Sequence, residues 1–492
     1  MILLPTAKRL SVFLLIFVLA MACKQPETII VDRDPETATA GDTTDQSQTG
    51  RQAASFQQLN IGELEPIRSL DPLLATNSAE TRAIQLLYEG LVRFDETGTI
   101  TPAIAREWSS SNDRRQYTFH LRSDVFFHNS EVFGSGTGRK LTANDVRFVF
   151  ERMAHNDVPP HAAELFMNIE GFDAYFREQR LLYKPSLRTL DKINGIRTPD
   201  DTTVVFELNE PDPDFLQKLA SPLAVVYPRE ATRRNTDSFA AVGSGPFTLS
   251  QQSSDSSFIF SKFNNYYGAS DVQLNRVDVI SSSNESALFQ ALEEGDIHFL
   301  PALGPSLARR VLSADMSLAM PYANRYALEE AGEIQYTLRR HLSSSLSQGQ
   351  AAALAQLAQN NGETLFDPFG PLLADTSYMK TEADVPPTGS LNTEAPATED
   401  PYATAFLLQL SELLANQGGM LAINDVRIPT QQTGVFMSRY SELLPTVDWS
   451  RHPEVASFTI QQYSLKRQNI QHLAANRYSW WINLRKTELP AD

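Results

Sequence analysis

The chain has 492 residues, 42% of them hydrophobic and 21% charged, with a formal net charge of −17. That length predicts two or more core-bearing units. So acidic a balance, with no Lys/Arg run interleaved with aromatics, argues against a nucleic-acid partner. The single cysteine, Cys23, excludes an intramolecular disulfide, so stability has to come from buried apolar surface.

Lys8 and Arg9 precede an apolar run from Leu10 to Met21, shorter than the roughly 20 apolar residues of a membrane-crossing helix. The run ends Leu19-Ala20-Met21-Ala22-Cys23. Small residues before a cysteine form the pattern at which bacterial lipoprotein signals are cut and the new terminal cysteine is acylated. Residues 1–22 are therefore expected to be a signal peptide and Cys23 a lipid anchor, which places the body in the bacterial cell envelope on its extracytoplasmic side. The alternative is an ordinary export signal with an incidental cysteine. Residues 23–55 carry almost no large apolar side chain and cannot offset the entropy of ordering, so this stretch is expected to be a disordered linker.

Beyond it, helix and strand signals alternate. Asn77 with Glu80 is a capping signature, followed by Ile84, Leu87, Tyr88 and Leu91 at helical spacing. In Tyr117-Thr118-Phe119-His120-Leu121 the period is two, with Tyr117, Phe119 and Leu121 facing inward. Gly134-Ser135-Gly136-Thr137-Gly138 lacks the G-K-[ST] ending of a phosphate-binding loop and reads as a surface connector. Thr142 and Asp145 open a second helix that buries Val146, Val149, Phe150 and Met153. Thr203–Leu208, Phe258–Phe263 and Arg276–Ile280 are strand candidates. Residues 381–400, with Pro386, Pro387 and Pro396, read as an exposed polar loop. The class is mixed α/β.

The ordered series Leu70-Asp71-Pro72, Leu87-Tyr88-Glu89-Gly90-Leu91-Val92, Ala105-Arg106-Glu107-Trp108, Val125-Phe126-Phe127-His128-Asn129, Leu141-Thr142-Ala143-Asn144-Asp145-Val146 and Gly243-Ser244-Gly245-Pro246-Phe247 resembles the extracytoplasmic solute-binding proteins, family 5, that serve peptide, dipeptide and nickel ABC transporters. The resemblance is dense from about Leu64 to Leu300 and thins beyond. It implies a two-lobed periplasmic-binding-protein-like α/β fold of the peptide-binder type, with a hinge and an interlobe cleft: lobe I over 56–279, lobe II over 280–465, and a return to lobe I over 466–492. It also implies delivery of a small ligand, such as an oligopeptide, to ABC permease subunits by a monomer. The Trp-rich segment whose aspartate pairs with the ligand amine in peptide binders has no counterpart here, and Asp448-Trp449 is the nearby Asp and Trp pair, in reversed order. Lobe II is thus expected to be divergent and shortened, which leaves a non-transport envelope scaffold or sensor-associated lipoprotein as the alternative.

Candidate ligand contacts from the first lobe are Thr76, Asn77 and Ser78, with helix capping the plain alternative for Asn77. From the second lobe they are Asn324, Tyr326, Asp448 and Trp449, with packing or capping as the alternative for each. Trp480 and Trp481 are expected to pack in the core of a closing strand. There is no G-x-S-x-G or H-E-x-x-H motif, and the eight histidines are scattered. No enzyme activity, metal or cofactor is expected.

Overall fold

A computed structural model describes residues 57–182, 184–232, 239–342, 346–378, 391–396, 398–424, 435–440 and 452–490. The expected signal peptide, Cys23, the linker, and the candidates Asp448 and Trp449 lie outside the described residues.

The body is organised by a nine-stranded sheet. Its first strand, β1 (Gln58–Glu63), is interior, pairing in parallel with β4 (Arg276–Ser281) on one side and with β5 (Phe299–Leu300) on the other. Beyond β4 come the antiparallel hairpin strands β3 (Ser257–Lys262) and β2 (Phe247–Ser254). Beyond β5 lie β9 (Glu454–Arg467), β6 (Tyr326–Arg340) and β8 (Val435–Tyr440), all antiparallel, with β7 (Leu373–Tyr378) pairing with β9 as well. Gly62 permits the central contact. A Cβ there would lie 2.7 Å from Leu300 Cδ2 and 2.9 Å from Ile297 Cδ1.

Two large apolar clusters flank this sheet. One gathers Leu59, Ile61 and side chains through Val279, joined by Ile470, Leu473, Ile482 and Leu484 from the chain's end. The other takes Leu64 and side chains from Leu288 to Leu465, among them Tyr336, Phe406 and Phe458. The first contains a four-stranded sheet in which Gln116–Leu121 pairs with Ala105–Ser110 and Thr203–Glu207. Tyr117, Phe119 and Leu121 are buried in it, as the two-residue period implies.

The two expected helices form as α1 (Ser78–Leu87) and α2 (Ala143–Met153). Asn77 Oδ1 accepts the Glu80 N–H at 2.8 Å, and Val146, Val149, Phe150 and Met153 are buried. α1 ends sooner than its apolar spacing suggests, so Leu91 is buried outside the helix. The reason is tertiary. The Gly245 N–H takes the Leu87 carbonyl at 2.9 Å, and the Val226 N–H takes the Glu89 carbonyl at 2.8 Å, which holds the chain extended. Gly243 and Gly245 let the strand approach: a Cβ on either would come within 2.8 Å of Leu87 O.

Two expectations need correction. Trp480 and Trp481 are buried with Phe94 and Tyr478, but in a turn: the strand covers only Ile482–Asn483. The Trp481 N–H bonds to the Tyr478 carbonyl, and Asn476 Oδ1 accepts the Tyr478 N–H, so these groups close a turn instead of a ladder. Within the stretch expected as a polar loop, Asn392–Pro396 is a strand paired with Met420–Asn424, and Asp400 is buried. Asp400 followed by Pro401 starts helix α5 (Pro401–Asn416), a helix-start signature that the polar composition conceals.

His128 pins the glycine segment. Its Nδ1 accepts the Gly243 N–H at 3.3 Å and its Nε2 donates to the Gly245 carbonyl at 3.0 Å. Burial pushes its pKa down from 6.5 to about 4, against the opposing effect of the Gly245 hydrogen bond. The folded state therefore favours the neutral ring, and this contribution is complete above pH 6.5 and lost as pH falls toward about 4. In denaturant unfolding, the stability advantage of the native protein over His128→Gln should shrink by up to about 3 kcal/mol across that window. A pH-independent difference between the two would contradict it.

Candidate functional site

The end of β1 carries two carboxylates, Glu63 and Glu65, at the point where the chain leaves the sheet. Glu63 is buried and receives a two-pronged pairing from Arg82 of α1: Nε to Oε1 at 2.7 Å and Nη2 to Oε2 at 2.5 Å. Arg82 Nη1 also donates to the Ser479 carbonyl at 2.6 Å, which ties α1 to the chain's return. Burial raises the Glu63 pKa, and Arg82 opposes that rise.

A second guanidinium sits beside this pair. Arg439, on β8, donates from Nη1 to Glu65 Oε1 at 2.7 Å and from Nη2 to Ser78 Oγ at 2.8 Å, and its Nη1 lies 3.2 Å from Asp400 Oδ2. Asp400 caps α5 through Oδ1, which accepts the N–H groups of Tyr402 and Ala403 at 2.9 Å each. Its Oδ2 is thereby left for Arg439 and for the Tyr336 hydroxyl, which donates at 2.9 Å. Burial raises the Asp400 pKa, Arg439 lowers it and Glu65 raises it further. Burial also pulls on Arg439, but Glu65, Tyr336 and Asp400 outweigh it and hold the guanidinium charged.

The groups come from both apolar clusters. Ser78 and Arg82 lie on α1, whose Ala79, Ala83 and Ile84 belong to the first; Tyr336 and the Asp400 neighbour Tyr402 belong to the second. Arg68 and Glu399 form a further ion pair at the margin. The remaining void, between Ser78, Arg82, Tyr336, Asp400 and Arg439, is about 20 Å³, room for about one water. The three carboxylates of Glu63, Glu65 and Asp400 face only two guanidiniums.

Ser78 is the sequence candidate that the structure brings into this cluster. Thr76 and Asn77 precede it and bond elsewhere: Thr76 donates from N–H and Oγ1 to Glu80 Oε2 at 2.7 and 3.1 Å, and Asn77 caps α1 through Oδ1 while its Nδ2 donates to the Pro66 carbonyl at 3.0 Å. Asn324 is exposed at the end of a short 3₁₀ turn. Tyr326 opens β6, paired with Arg467 and packed on Phe289, away from Tyr336. Glu63, Glu65, Arg82, Asp400 and Arg439 escaped the sequence reading. Asp400-Pro401 was a legible cap signal, whereas Arg439 has no local signature.

A nine-stranded sheet flanked by two cores, with charged groups meeting between them, defines a two-lobed α/β fold. Residues 99–353 match the bacterial extracellular solute-binding proteins, family 5 Middle; this is over half of the chain, which belongs to that family. Among curated proteins it is 27% identical over 332 residues to di/tripeptide-binding protein 1 of Pseudomonas aeruginosa, covering 64% of this chain and 58% of that protein. It is 28% identical over 280 residues to the dipeptide-binding protein of Escherichia coli, covering 55% and 48%. The matched part thus spans about half of these relatives' length. Among solved structures, the E. coli murein tripeptide binding protein MppA superimposes with a TM-score of 0.69 at 15% identity, covering 88% of this chain and 98% of that one. Haemophilus influenzae OppA in complex with RPPGFSPFR gives 0.67 at 14% identity, covering 88% and 99%. These structures share the fold.

Removing Arg439 leaves the half-buried Glu65 and the buried Asp400 without their counter-charge. Arg439→Met should therefore destabilise the protein by about 3–5 kcal/mol, and the triple variant Arg439→Met/Glu65→Gln/Asp400→Asn should recover most of that loss. Chemical denaturation measures both. Equal stability of the single variant and the native protein would show that the cluster contributes nothing.

Proposed function

We propose that this protein is the extracytoplasmic substrate-binding lipoprotein of an ABC transporter, a non-enzymatic monomer held at a membrane by acylated Cys23 and the linker 23–55. Lobe I spans 56–279 with the return 466–492, and lobe II spans 280–465. A small ligand, in the first instance a short peptide, is enclosed between them and delivered to the permease. The observation that supports this reading is Arg439, which reaches from the second core to Ser78 beside the first and to Glu65 on the segment that passes from one to the other. A charged contact between two cores is the kind of element whose making and breaking accompanies domain closure around a ligand.

A second reading is favoured by one observation. Arg439 fills the junction and leaves only about 20 Å³, so the protein could hold its lobes together without ligand and serve as an envelope scaffold.

Thermal unfolding with pools of di- and tripeptides separates the two. Transport predicts a rise in Tm that grows with peptide concentration; no shift, with a stable envelope protein complex recovered on pull-down, supports the scaffold. Independently, Cys23→Ser should move the protein from the membrane fraction to the soluble fraction on cell fractionation. Retention of the variant in the membrane would exclude the anchor.

A further inference from the structure

A larger cavity, about 800 Å³, opens on β6, where Glu330, Glu333 and Gln335 line it together with Gln461 of β9, Tyr440 of β8 and Asn476 of the chain's return. In a regular strand, residues three apart point to opposite faces. Here Glu330 pairs with Tyr463 and Glu333 with Gln461, so two residues of β6, Ala331 and Gly332, oppose one of β9, Gln462. The extra residue of this bulge resets the alternation and turns both carboxylates to the cavity. Gly332 sits in the bulge at φ +85°, and a Cβ there would lie 2.1 Å from the Arg477 carbonyl oxygen. Backbone contact therefore fixes the bulge in place.

Among the described residues, neither Glu330 nor Glu333 has an ion pair or a side-chain hydrogen bond. Arg477 also lines the cavity, but its guanidinium donates to the Tyr478 hydroxyl at 2.6 Å and lies 4.8 Å from the centre of that ring. A second feature is independent of the carboxylates. Asn476 is 9% exposed, its Oδ1 accepts the Tyr478 N–H at 2.9 Å, and its Nδ2 has no partner. A buried donor left unmade is costly, and a ligand carbonyl would satisfy it. The Tyr440 ring, 52% exposed, offers a face that attracts cations.

Two unpaired carboxylates, an open aromatic ring and an unsatisfied amide donor complement an organic cation that also carries a carbonyl. We propose that this cavity binds the ammonium or guanidinium side chain of a basic peptide, with Glu330 and Glu333 as its counter-charges and Asn476 Nδ2 on a peptide carbonyl. The assignment rests on the peptide-binding reading above and deepens it to a charge class. Because both carboxylates are exposed, their replacement should leave the fold intact.

The test is calorimetric titration of the full processed protein in detergent with trilysine, trialanine and triglutamate. Trilysine should bind at least about tenfold more tightly than trialanine, a difference of about 1.4 kcal/mol, and the preference should weaken with salt. In Glu330→Gln/Glu333→Gln, with an unchanged unfolding midpoint, trilysine and trialanine should bind alike. Equal binding of the three peptides to the native protein, or a lysine preference that survives the double substitution, would overturn the cation site and leave peptide binding standing. Heat from none of the three would overturn both.

Discussion

The constraint on which the rest of the structure depends is the near-burial of Arg439, whose side chain is 18% exposed. A guanidinium withdrawn from water is tolerated only where several acceptors are already aimed at it. Here they come from three places: Glu65 just past the first strand, Ser78 at the start of α1 and Asp400 at the cap of α5. Two of the three are also held by local structure. Asp400 is held by the helix N–H groups it caps, and Ser78 by the Asn77 cap beside it. The ion pair therefore reports on the relative placement of the two cores.

The sheet makes that placement consistent. Phe299–Leu300 joins β1 to β9, so the strands of one core continue into the strands of the other without a break. Where backbones must approach closely, the chain has glycine: Gly62 against Leu300, Gly243 and Gly245 against Leu87, and Gly332 against Arg477. The last serves the large cavity as well, since the bulge it permits gives β6 two neighbouring carboxylates on one face. Motifs that look like family signatures in the sequence thus have a direct steric reason.

Much of the first core was legible from sequence because its determinants are local. The Asn77 and Thr142 helix starts, the alternation of Tyr117, Phe119 and Leu121, and the apolar face of α2 need no knowledge of distant residues. The early stop of α1 was not legible, since Gly245 and Val226 impose it from far along the chain. The same holds for the candidate site. Ser78 could be found because it follows a cap, and Asp400 was findable from Asp-Pro. Arg439 could not be found, because three acceptors scattered over the chain define its role, and composition misread the polar stretch before Asp400 as loop throughout.

Membership of the family 5 solute-binding proteins and the two-core architecture agree with a charged junction that joins the two cores. The most direct test is the interlobe distance in solution, measured by electron spin resonance between labels at Leu187→Cys and Leu408→Cys in a Cys23→Ser background, both leucines being exposed. A single narrow distance distribution is expected without ligand, and a longer or broader one when Arg439→Met is added. Identical distributions in the two proteins would contradict the claim that this guanidinium holds the lobes together.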